Sequence, residues 1–191
     1  MTPKRSWRGF VFIGASVDGY IAEPDGGLDW LTDPPPDPGH VLGRHAGDAP
    51  ADYRGFIRTV DQLVMGRGTY EKVLTFESWP YEGTPVIVLS TTLEQTPDTN
   101  VTLAASVPDV LDLLDRRQAR GVYVDGGETI QAFLRDDLID ELTISRAPVL
   151  LGSGLPLFGF IPRAVRLTHL GTSTSDGGMT STHYRVVRPP P

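Results

Sequence analysis

Short, nearly continuous runs of apolar and β-branched residues recur along this chain, and they constrain its fold more than any other feature. The runs lie at residues 9–15, 62–66, 85–90, 100–104, 121–126 and 141–150. Continuous rather than alternating hydrophobicity is typical of strands that are covered on both faces, as in parallel sheets. We therefore expect a three-layer α/β fold, with a mostly parallel central sheet and helices on both faces.

Helical patterns separate some of these runs. The first pattern has apolar residues at the spacing of an amphipathic helix, namely Tyr53, Phe56, Ile57 and Val60. A second helix is expected after Ser106, which is placed as its N-cap with Asp109 three residues later, and Gly121 is expected to stop it. A third helix is expected from about residue 128 to residue 135.

The carboxyl-terminal part of the chain has a different pattern. Residues 165–187 alternate between apolar and polar about Asp176-Gly177, which predicts an antiparallel hairpin at the edge of the sheet. The Pro- and Gly-rich segment 33–50 is expected to be a flap beside the site, with disorder as the alternative, and residues 189–191 a frayed end. A length of 191 residues fits one domain, covering residues 1–191.

Composition and charge exclude several classes of function. The formal net charge of -7 argues against a nucleic-acid or anionic-membrane partner, because such partners require a broad basic surface. The chain has no cysteine, which excludes disulfides, thiolate metal sites and a cysteine nucleophile. The histidines have no metal-ligand spacing, so no metal is expected. No apolar run is long enough for a membrane span, and we expect a cytoplasmic protein.

Glycines and small hydroxyl residues follow several of the predicted strands. The junctions are residues 14–16, 66–69, 90–92 and 126–129. Ligands bind at the carboxyl ends of parallel strands, where glycines let a ligand approach the main chain and helix N-termini attract phosphates. The adjacent glycines at 126–127 are therefore interpreted as room for the phosphates of a dinucleotide, with a tight turn between strand and helix as the alternative.

Arg67 is the charged residue at these junctions that best fits a phosphate, because its guanidinium can form a forked contact. The alternative is a surface arginine paired with Glu71 or Asp61. After the run at 85–90, hydroxyl residues stand where an NAD enzyme often has an acid for the ribose 2′-hydroxyl. This favours NADP over NAD, although the G-x-G-x-x-G fingerprint is absent after the first strand.

Four segments resemble the dihydrofolate-reductase-like superfamily in order and spacing. They are GASVDGYIAEPDGGLDWL (14–31), LVMGRGTYEKV (63–73), PVIVLS (85–90) and VYVDGGETIQAFLRDDLIDELTISRAPVLLGSGLPLF (122–158). The most similar branch is the reductase domain of the bifunctional riboflavin-biosynthesis deaminase-reductase and its stand-alone relatives. The resemblance extends from about Gly9 to the final hairpin, and it implies a dihydrofolate-reductase-like fold.

The resemblance implies an NADPH site, built from residues that can be named by position. Those at the nicotinamide end would be Ala15 and Ile21. Those at the phosphates would be Gly66, Arg67 and Thr69, with Ser90 and Thr91 near the adenosine 2′-phosphate. Those at the pyrophosphate would be Gly126, Gly127, Glu128 and Thr129.

The substrate side and the proton donor are less defined by the resemblance. Trp30 would face the substrate, with simple core packing as the alternative. Asp52 lies near the position of the carboxylate that helps to protonate the pterin in dihydrofolate reductases, but it could instead cap a helix. Asp18 and Asp125 are the competing carboxylates, Asp125 standing where the riboflavin-type branch often has Glu before Gly-Gly.

These observations together predict an NADPH-dependent reductase. It would transfer a hydride to a pyrimidine- or pterin-type substrate, or to a ribosyl-aminopyrimidine as in riboflavin biosynthesis. The alternatives are a non-catalytic nucleotide-binding module and a true dihydrofolate reductase. The resemblance also implies that the protein forms a homodimer. The other expected partner of the protein is a small-molecule substrate.

Overall fold

The computed structural model describes residues 5–32, 53–81, 83–96, 98–175 and 177–188. The expected flap at 33–50, the candidate acid Asp52 and the expected frayed end at 189–191 lie outside these ranges. Within them, no helix is long and apolar enough to cross a membrane.

Strands and helices alternate along most of the described chain. The strands are β1 (Arg8–Ser16), β2 (Tyr20–Ala22), β3 (Gln62–Gly66), β4 (Val86–Leu89), β5 (Val101–Ala104), β6 (Gly121–Asp125), β7 (Glu141–Ala147), β8 (Leu155–Pro156), β9 (Leu167–Thr174) and β10 (Thr180–Val186). The helices are α1 (Asp29–Thr32), α2 (Tyr53–Ile57), α3 (Arg67–Val73), α4 (Val107–Arg116) and α5 (Gly127–Arg135). Every predicted apolar run contains one of these strands, and the predicted helices are α2, α4 and α5.

The main sheet has eight strands in the order β5-β4-β3-β6-β1-β7-β10-β9. All pairs from β5 to β7 are parallel, whereas β10 pairs antiparallel with both β7 and β9. This confirms the predicted α/β fold with a mostly parallel sheet and a carboxyl-terminal antiparallel hairpin at its edge.

Each face of the sheet has its own hydrophobic core, as continuous apolar strands require. Alternate strand residues, such as Val64 and Val124, pack with Ile130 and Phe133 of α5 on one face. Their sequence neighbours pack on the other face with residues of α2 and α3, in a cluster that includes Met65, Phe56, Tyr70 and Tyr123. The helices on both faces give the three layers that the sequence predicts.

Two predicted helix ends differ from the structure, because α2 ends at Ile57, before Val60, and α4 also ends early. Helix α4 begins after Ser106, whose hydroxyl accepts a hydrogen bond from the Asp109 amide as predicted, but it ends at Arg116 rather than at Gly121. Gln118 beyond it has a φ of 53°, so this residue, and not a glycine, adopts the left-handed conformation. Gly121 is the first residue of β6, where a Cβ would lie 2.7 Å from the Thr59 carbonyl oxygen.

Two short elements without a clear pattern in the sequence complete the region around the end of β1. Strand β2 pairs antiparallel with β8, in a small sheet separate from the main one. Helix α1 packs across β1 because Gly14 has no side chain, and a Cβ there would lie 2.9 Å from Leu31 Cδ1. Both contacts bring chain segments to the edge of the sheet at which the candidate site lies.

Candidate functional site

A cleft of about 710 Å³ lies at the edge of the sheet where β3, β4 and β6 end. Its size is within the range of about 300 to 1,000 Å³ that is usual for ligand sites. The cleft brings together most of the predicted cofactor residues, namely Ile21, Gly66, Arg67, Thr69, Ser90, Thr91, Gly126, Gly127, Glu128 and Thr129. The position agrees with the rule that parallel strands present ligand sites at their carboxyl ends.

Two helices begin at the floor of this cleft. Gly66 is the N-cap of α3, and Gly126 is the N-cap of α5. Neither cap residue has a side chain that accepts a hydrogen bond from the first turn of its helix. The first amides of both helices therefore retain hydrogen-bonding capacity for a ligand, and the helix dipoles make this end of the cleft favourable for an anion.

The glycines at these helix starts make room for threonines of the protein itself. Gly126 has a φ of 87°, and a Cβ there would overlap Thr69 Oγ1. In the same way, a Cβ on Gly66 would lie 3.0 Å from Thr129 Oγ1. Gly126, which follows β6, thus packs against Thr69 of α3. Gly66, at the end of β3, packs against Thr129 of α5.

Gly127 and Gly68 differ in what surrounds them. A Cβ on Gly127 would lie 2.7 Å from the Pro156 carbonyl oxygen, so this glycine too is required by contacts within the chain. A Cβ on Gly68 would meet no atom within 4 Å. Packing of the protein is therefore the immediate reason for Gly126-Gly127, and Gly68 is the glycine that leaves open space in the cleft.

Arg67 is held in place by two side chains. Its Nε donates to Glu71 Oε1 at 2.7 Å, and its terminal nitrogen donates to Thr92 Oγ1 at 2.7 Å. The pairing with Glu71 that the sequence left open is therefore present, whereas Asp61 contacts Arg120 instead. About half of the Arg67 side chain, 48%, stays exposed toward the cleft and solvent, so the guanidinium has capacity for a further contact.

The turn after β4 is ordered by Ser90. Its Oγ accepts hydrogen bonds from the amides of Thr92 at 3.1 Å and Leu93 at 2.9 Å. Hydroxyl groups therefore line this part of the cleft. Arg67 lies on the same side, because it donates a hydrogen bond to Thr92. Arg67 and Glu128 are the charged residues in the described lining, so the cleft carries little net charge.

The two residues predicted at the nicotinamide end are placed differently. Ile21 lines the cleft, and a Cβ on Gly127 would lie 3.2 Å from its Cδ1. Ala15 is only 1% exposed and lies inside β1, beside Arg146 of β7, rather than in the lining of this cleft. Trp30 lies in α1, and its buried Nε1 has no hydrogen-bond partner among the described residues.

Asp18 is an exposed and fully bonded carboxylate at the turn after β1. It accepts hydrogen bonds from Ser16 Oγ at 2.6 Å and from the amides of Gly152 at 2.7 Å and Leu151 at 3.2 Å. The hydrogen bond from Ser16 is the main cause that lowers the pKa of Asp18, and the loop amides lower it further. Such a carboxyl is ionised at neutral pH, so it is poorly suited to donate a proton. Its structural role is to hold the loop at 151–152 by hydrogen bonds.

Asp125 has the opposite electrostatic environment. It ends β6 on the face of Tyr123, opposite α5, and it immediately precedes the cleft glycine Gly126. The Gly126 amide donates to Asp125 Oδ1 at 2.8 Å, and the Tyr81 hydroxyl donates to Oδ2 at 3.1 Å. Burial raises the pKa of Asp125 in spite of these hydrogen bonds. A carboxyl with a raised pKa is typical of groups that give or take protons in active sites.

Several residues of the region were not predicted from the sequence. Leu155 and Pro156 reach the cleft because β8 pairs with β2, and Gln131 reaches it from α5. Gln131 could have been found from the sequence, since it follows Glu128 by three positions on the same helix face. Tyr81 gave no signal, because it lies in an irregular segment. Within the described ranges, no cluster of His, Asp or Glu could hold a metal ion.

The mostly parallel sheet and the cleft at its carboxyl edge define a protein with the dihydrofolate-reductase-like α/β fold. Dihydrofolate reductase from Enterococcus faecalis, complexed with NADP(H) and RAB-propyl, superposes with a TM-score of 0.64 over 95% of this chain and 97% of that chain, at 18% identity. At that identity the similarity shows the fold alone.

The chain belongs to the RibD C-terminal domain family, whose model matches residues 9–181. The uncharacterized protein YwjB of Bacillus subtilis (strain 168) is 32% identical over 178 residues, which cover 91% of this chain and 95% of YwjB. A Shewanella sp. PV-4 protein named for riboflavin biosynthesis superposes with a TM-score of 0.79 at 38% identity, over 95% of this chain and 99% of that chain.

A protein that is named as both a deaminase and a reductase has the same fold in part of its chain. The diaminohydroxyphosphoribosylaminopyrimidine deaminase/5-amino-6-(5-phosphoribosylamino)uracil reductase of Thermotoga maritima superposes with a TM-score of 0.65 at 17% identity. The match covers 96% of this chain but 58% of that chain. The resemblance to the riboflavin-type reductases and to the dihydrofolate-reductase-like fold, expected from the sequence, is thus confirmed.

Proposed function

We propose that this protein is an NADPH-dependent reductase that binds the cofactor in the cleft at the carboxyl edge of the sheet. The observation that carries the proposal is the convergence of two uncapped helix starts, at Gly66 and Gly126, beside the half-exposed guanidinium of Arg67. Helix-start amides without a side-chain cap, together with two helix dipoles, favour a bound diphosphate, and the guanidinium beside them favours the further phosphate of NADPH.

The residues present fit an NADPH molecule better than an NADH molecule. The turn after β4 offers the hydroxyls of Ser90, Thr91 and Thr92, and Arg67 already points to it through its hydrogen bond with Thr92. A carboxylate at this turn would repel a 2′-phosphate, and the described lining has none there. Glu71 partly neutralises the charge of Arg67. On cofactor binding, the guanidinium would therefore either leave Glu71 for a phosphate or contact both groups.

The proposed reduction requires both a hydride and a proton. Bound NADPH would supply the hydride to the carbon of a C=O or C=N group, as in a pterin, a pyrimidine or a ribosyl-aminopyrimidine. Of the two candidate carboxylates that the structure describes, Asp125 fits the proton donor better than Asp18. The pKa of Asp125 is raised by burial, whereas that of Asp18 is lowered by its hydrogen bond from Ser16.

The substrate would lie on the face of the sheet that carries Asp125. Aromatic side chains surround that face, with Phe12 and Tyr53 at 5.6 Å between ring centroids and Tyr53 and Tyr123 at 6.5 Å. These rings belong to the core on that face and lie outside the described lining of the cleft, so the pyrimidine- or pterin-type substrate is proposed from the resemblance to the riboflavin-type reductases. The roles of Trp30 beside the substrate and of Ala15 beside the nicotinamide stay predictions. The homodimer and the cytoplasmic location also stay predictions.

Fluorescence titration with NADPH and with NADH tests the cofactor part of the proposal. Arg67→Ala should weaken NADPH binding more than NADH binding, because the guanidinium is assigned to the 2′-phosphate side. Arg120→Ala is the matched control, since the Arg120 side chain is 89% exposed and lies outside the described lining of the cleft. Equal loss of both cofactors in the Arg67 variant would contradict the assignment.

Turnover then separates the reductase from a module that only binds nucleotides. Loss of absorbance at the nicotinamide band is followed with dihydrofolate, with aminopyrimidine ribosyl phosphates and with simple carbonyl compounds. Oxidation of NADPH by one substrate class supports the reductase and names its substrate. Tight NADPH binding without oxidation by any of them would favour the non-catalytic module.

A further inference from the structure

The Asp125 carboxyl, which is itself partly buried, lies beside two buried tyrosines, with which it forms a cluster. The Tyr81 hydroxyl donates to it at 3.1 Å, whereas the neighbouring Tyr123 hydroxyl donates to the Phe12 carbonyl oxygen at 2.8 Å. Both rings are almost fully buried, with Tyr81 3% and Tyr123 4% exposed. They also contact each other edge to face, at 6.4 Å between centroids.

Tyr81 reaches this cluster through packing and not through a regular element. It lies in the irregular segment after α3, where its ring packs against Trp79 at 5.3 Å between centroids. Trp79 in turn packs against Tyr70 of α3 at 6.4 Å. The chain therefore buries a tyrosine ring where its hydroxyl meets the carboxyl that ends β6, next to the first glycine of the cleft.

We infer that Tyr81 is a positioning residue for Asp125, which it orients by its hydroxyl and whose protonation it controls. The inference rests on the proposed function, in which Asp125 supplies the proton of the reduction. In that step the acid form of Asp125 gives its proton to the oxygen or nitrogen of the group that takes the hydride. The carboxylate that remains is stabilised by the hydroxyl of Tyr81 and the amide of Gly126, and water then returns the proton.

The charges around Asp125 agree with this assignment. Burial raises the pKa of Tyr81 and that of Tyr123 far above the ordinary value, so both hydroxyls keep their protons over the whole working range of pH. The Tyr81 hydroxyl therefore acts toward Asp125 as a donor, which lowers the pKa of a carboxyl that burial raises. Tyr53 of α2 is the third tyrosine and the fourth titratable group of the cluster.

The inference is tested by titrating the Asp125 carboxyl in the full chain by ¹³C NMR, with Asp125→Asn to assign its resonance. Tyr81→Phe keeps the ring and removes the donor, so the pKa of Asp125 should move further upward. Tyr70→Phe is the matched control, because the Tyr70 hydroxyl is 2.6 Å from Thr96 Oγ1 in the same aromatic cluster and Asp125 is not its partner. The pKa of Asp125 should not change in this control.

A measurement on the unchanged protein covers the case in which Tyr81→Phe does not fold. The ¹³Cζ resonance of Tyr81 should shift at the pH at which Asp125 titrates, and that of Tyr70 should not. An Asp125 titration that is the same in wild type and Tyr81→Phe, or a Tyr81 resonance that does not respond to it, would overturn the inference.

The pH dependence of turnover separates failure of this inference from failure of the proposed function. If NADPH is oxidised, Tyr81→Phe should move the alkaline limit of kcat to higher pH while the affinity for NADPH stays unchanged. An unchanged profile in an active variant contradicts the role of Tyr81 but leaves the reductase intact. If no substrate is reduced, the proposed function fails, and the NMR titration still decides whether Tyr81 controls Asp125.

Discussion

Replacing Gly68 with alanine is expected to stabilise the fold and to weaken NADPH binding at the same time. Gly68 is the second residue of α3 and lines the cleft, and a Cβ there would meet no protein atom within 4 Å. The added methyl group therefore costs nothing within the protein. It occupies the open space that we assign to the cofactor phosphates.

The gain in stability follows from helix propensity. Alanine is favoured over glycine inside a helix by about 0.5 to 1 kcal/mol, mainly because glycine loses more backbone freedom on folding. For a chain of this size, 1 kcal/mol corresponds to roughly 2 to 4 °C in Tm. Differential scanning fluorimetry of the ligand-free protein should therefore show a rise of about 1 to 4 °C.

The loss of affinity follows from steric overlap with the ligand. A methyl group forced into a close contact costs about 1 to 3 kcal/mol, which corresponds to a rise in Kd of roughly fivefold to more than a hundredfold. Fluorescence titration with NADPH measures it. Gly177→Ala is the matched control, because Gly177 lies outside the described lining of the cleft and its Cβ would meet only Ser175 Oγ, at 4.0 Å.

Two outcomes would refute this prediction, one by contradicting the position of the phosphates and the other by contradicting the open space around Gly68. A rise in Tm with unchanged NADPH affinity would show that the phosphates do not approach Gly68, and the cleft would lose its assignment. A fall in Tm would show that the space around Gly68 in the ligand-free protein is not open, contrary to the structure.

Two further predictions concern charged side chains at the site. Glu128→Gln removes a negative charge from the first turn of α5 in the cleft, so NADPH should bind about twofold to fivefold tighter at low salt, with little gain at high salt. The matched control is Asp112→Asn on the exposed face of α4, and equal affinities for wild type and Glu128→Gln at low salt would contradict the placement of the phosphates. Asp125→Asn should become more stable relative to wild type as pH rises. Burial raises the pKa of Asp125 in the folded protein, so its favourable contribution is complete below the unfolded pKa and is lost as pH rises through the folded pKa. Thermal melting from about pH 4 to about pH 8 measures this difference, and parallel Tm curves for the two proteins would count against it.

The cleft that we assign to the cofactor could be predicted from the sequence to a large extent, because most of the predicted residues do line it. Strand ends followed by glycines, hydroxyls and Arg67 are local patterns, and the parallel sheet brings such ends to one edge. The reason for the adjacent glycines at 126–127 could not be predicted in the same way. It depends on Thr69 and on Pro156, which are distant along the chain and become neighbours only when the sheet and the β2–β8 pair have formed.

The proton donor could not be chosen from the sequence, because both remaining candidates are aspartates beside a glycine. The hydrogen bond from Gly152 to Asp18 joins residues 134 positions apart, and that from Tyr81 to Asp125 joins residues 44 positions apart. The pKa of Asp18 is lowered, first by the Ser16 hydroxyl and further by the loop amides, whereas burial raises the pKa of Asp125 against the lowering effect of the Tyr81 hydroxyl. The pKa of a carboxyl depends on its burial and its partners, and the burial of Asp125 and its contact with Tyr81 are not encoded in adjacent residues.

The amino-acid sequence by itself determined the layered α/β fold, since continuous apolar runs can be satisfied only by strands covered on both faces. It also determined which strand ends carry the groups that we propose to bind an anion. The tertiary structure alone decided the state of each charged group there, from the pairing of Arg67 with Glu71 to the burial of Asp125 beside Tyr81. The physical reason is range, because backbone preference acts between neighbours in sequence, whereas desolvation and hydrogen bonding act between neighbours in space.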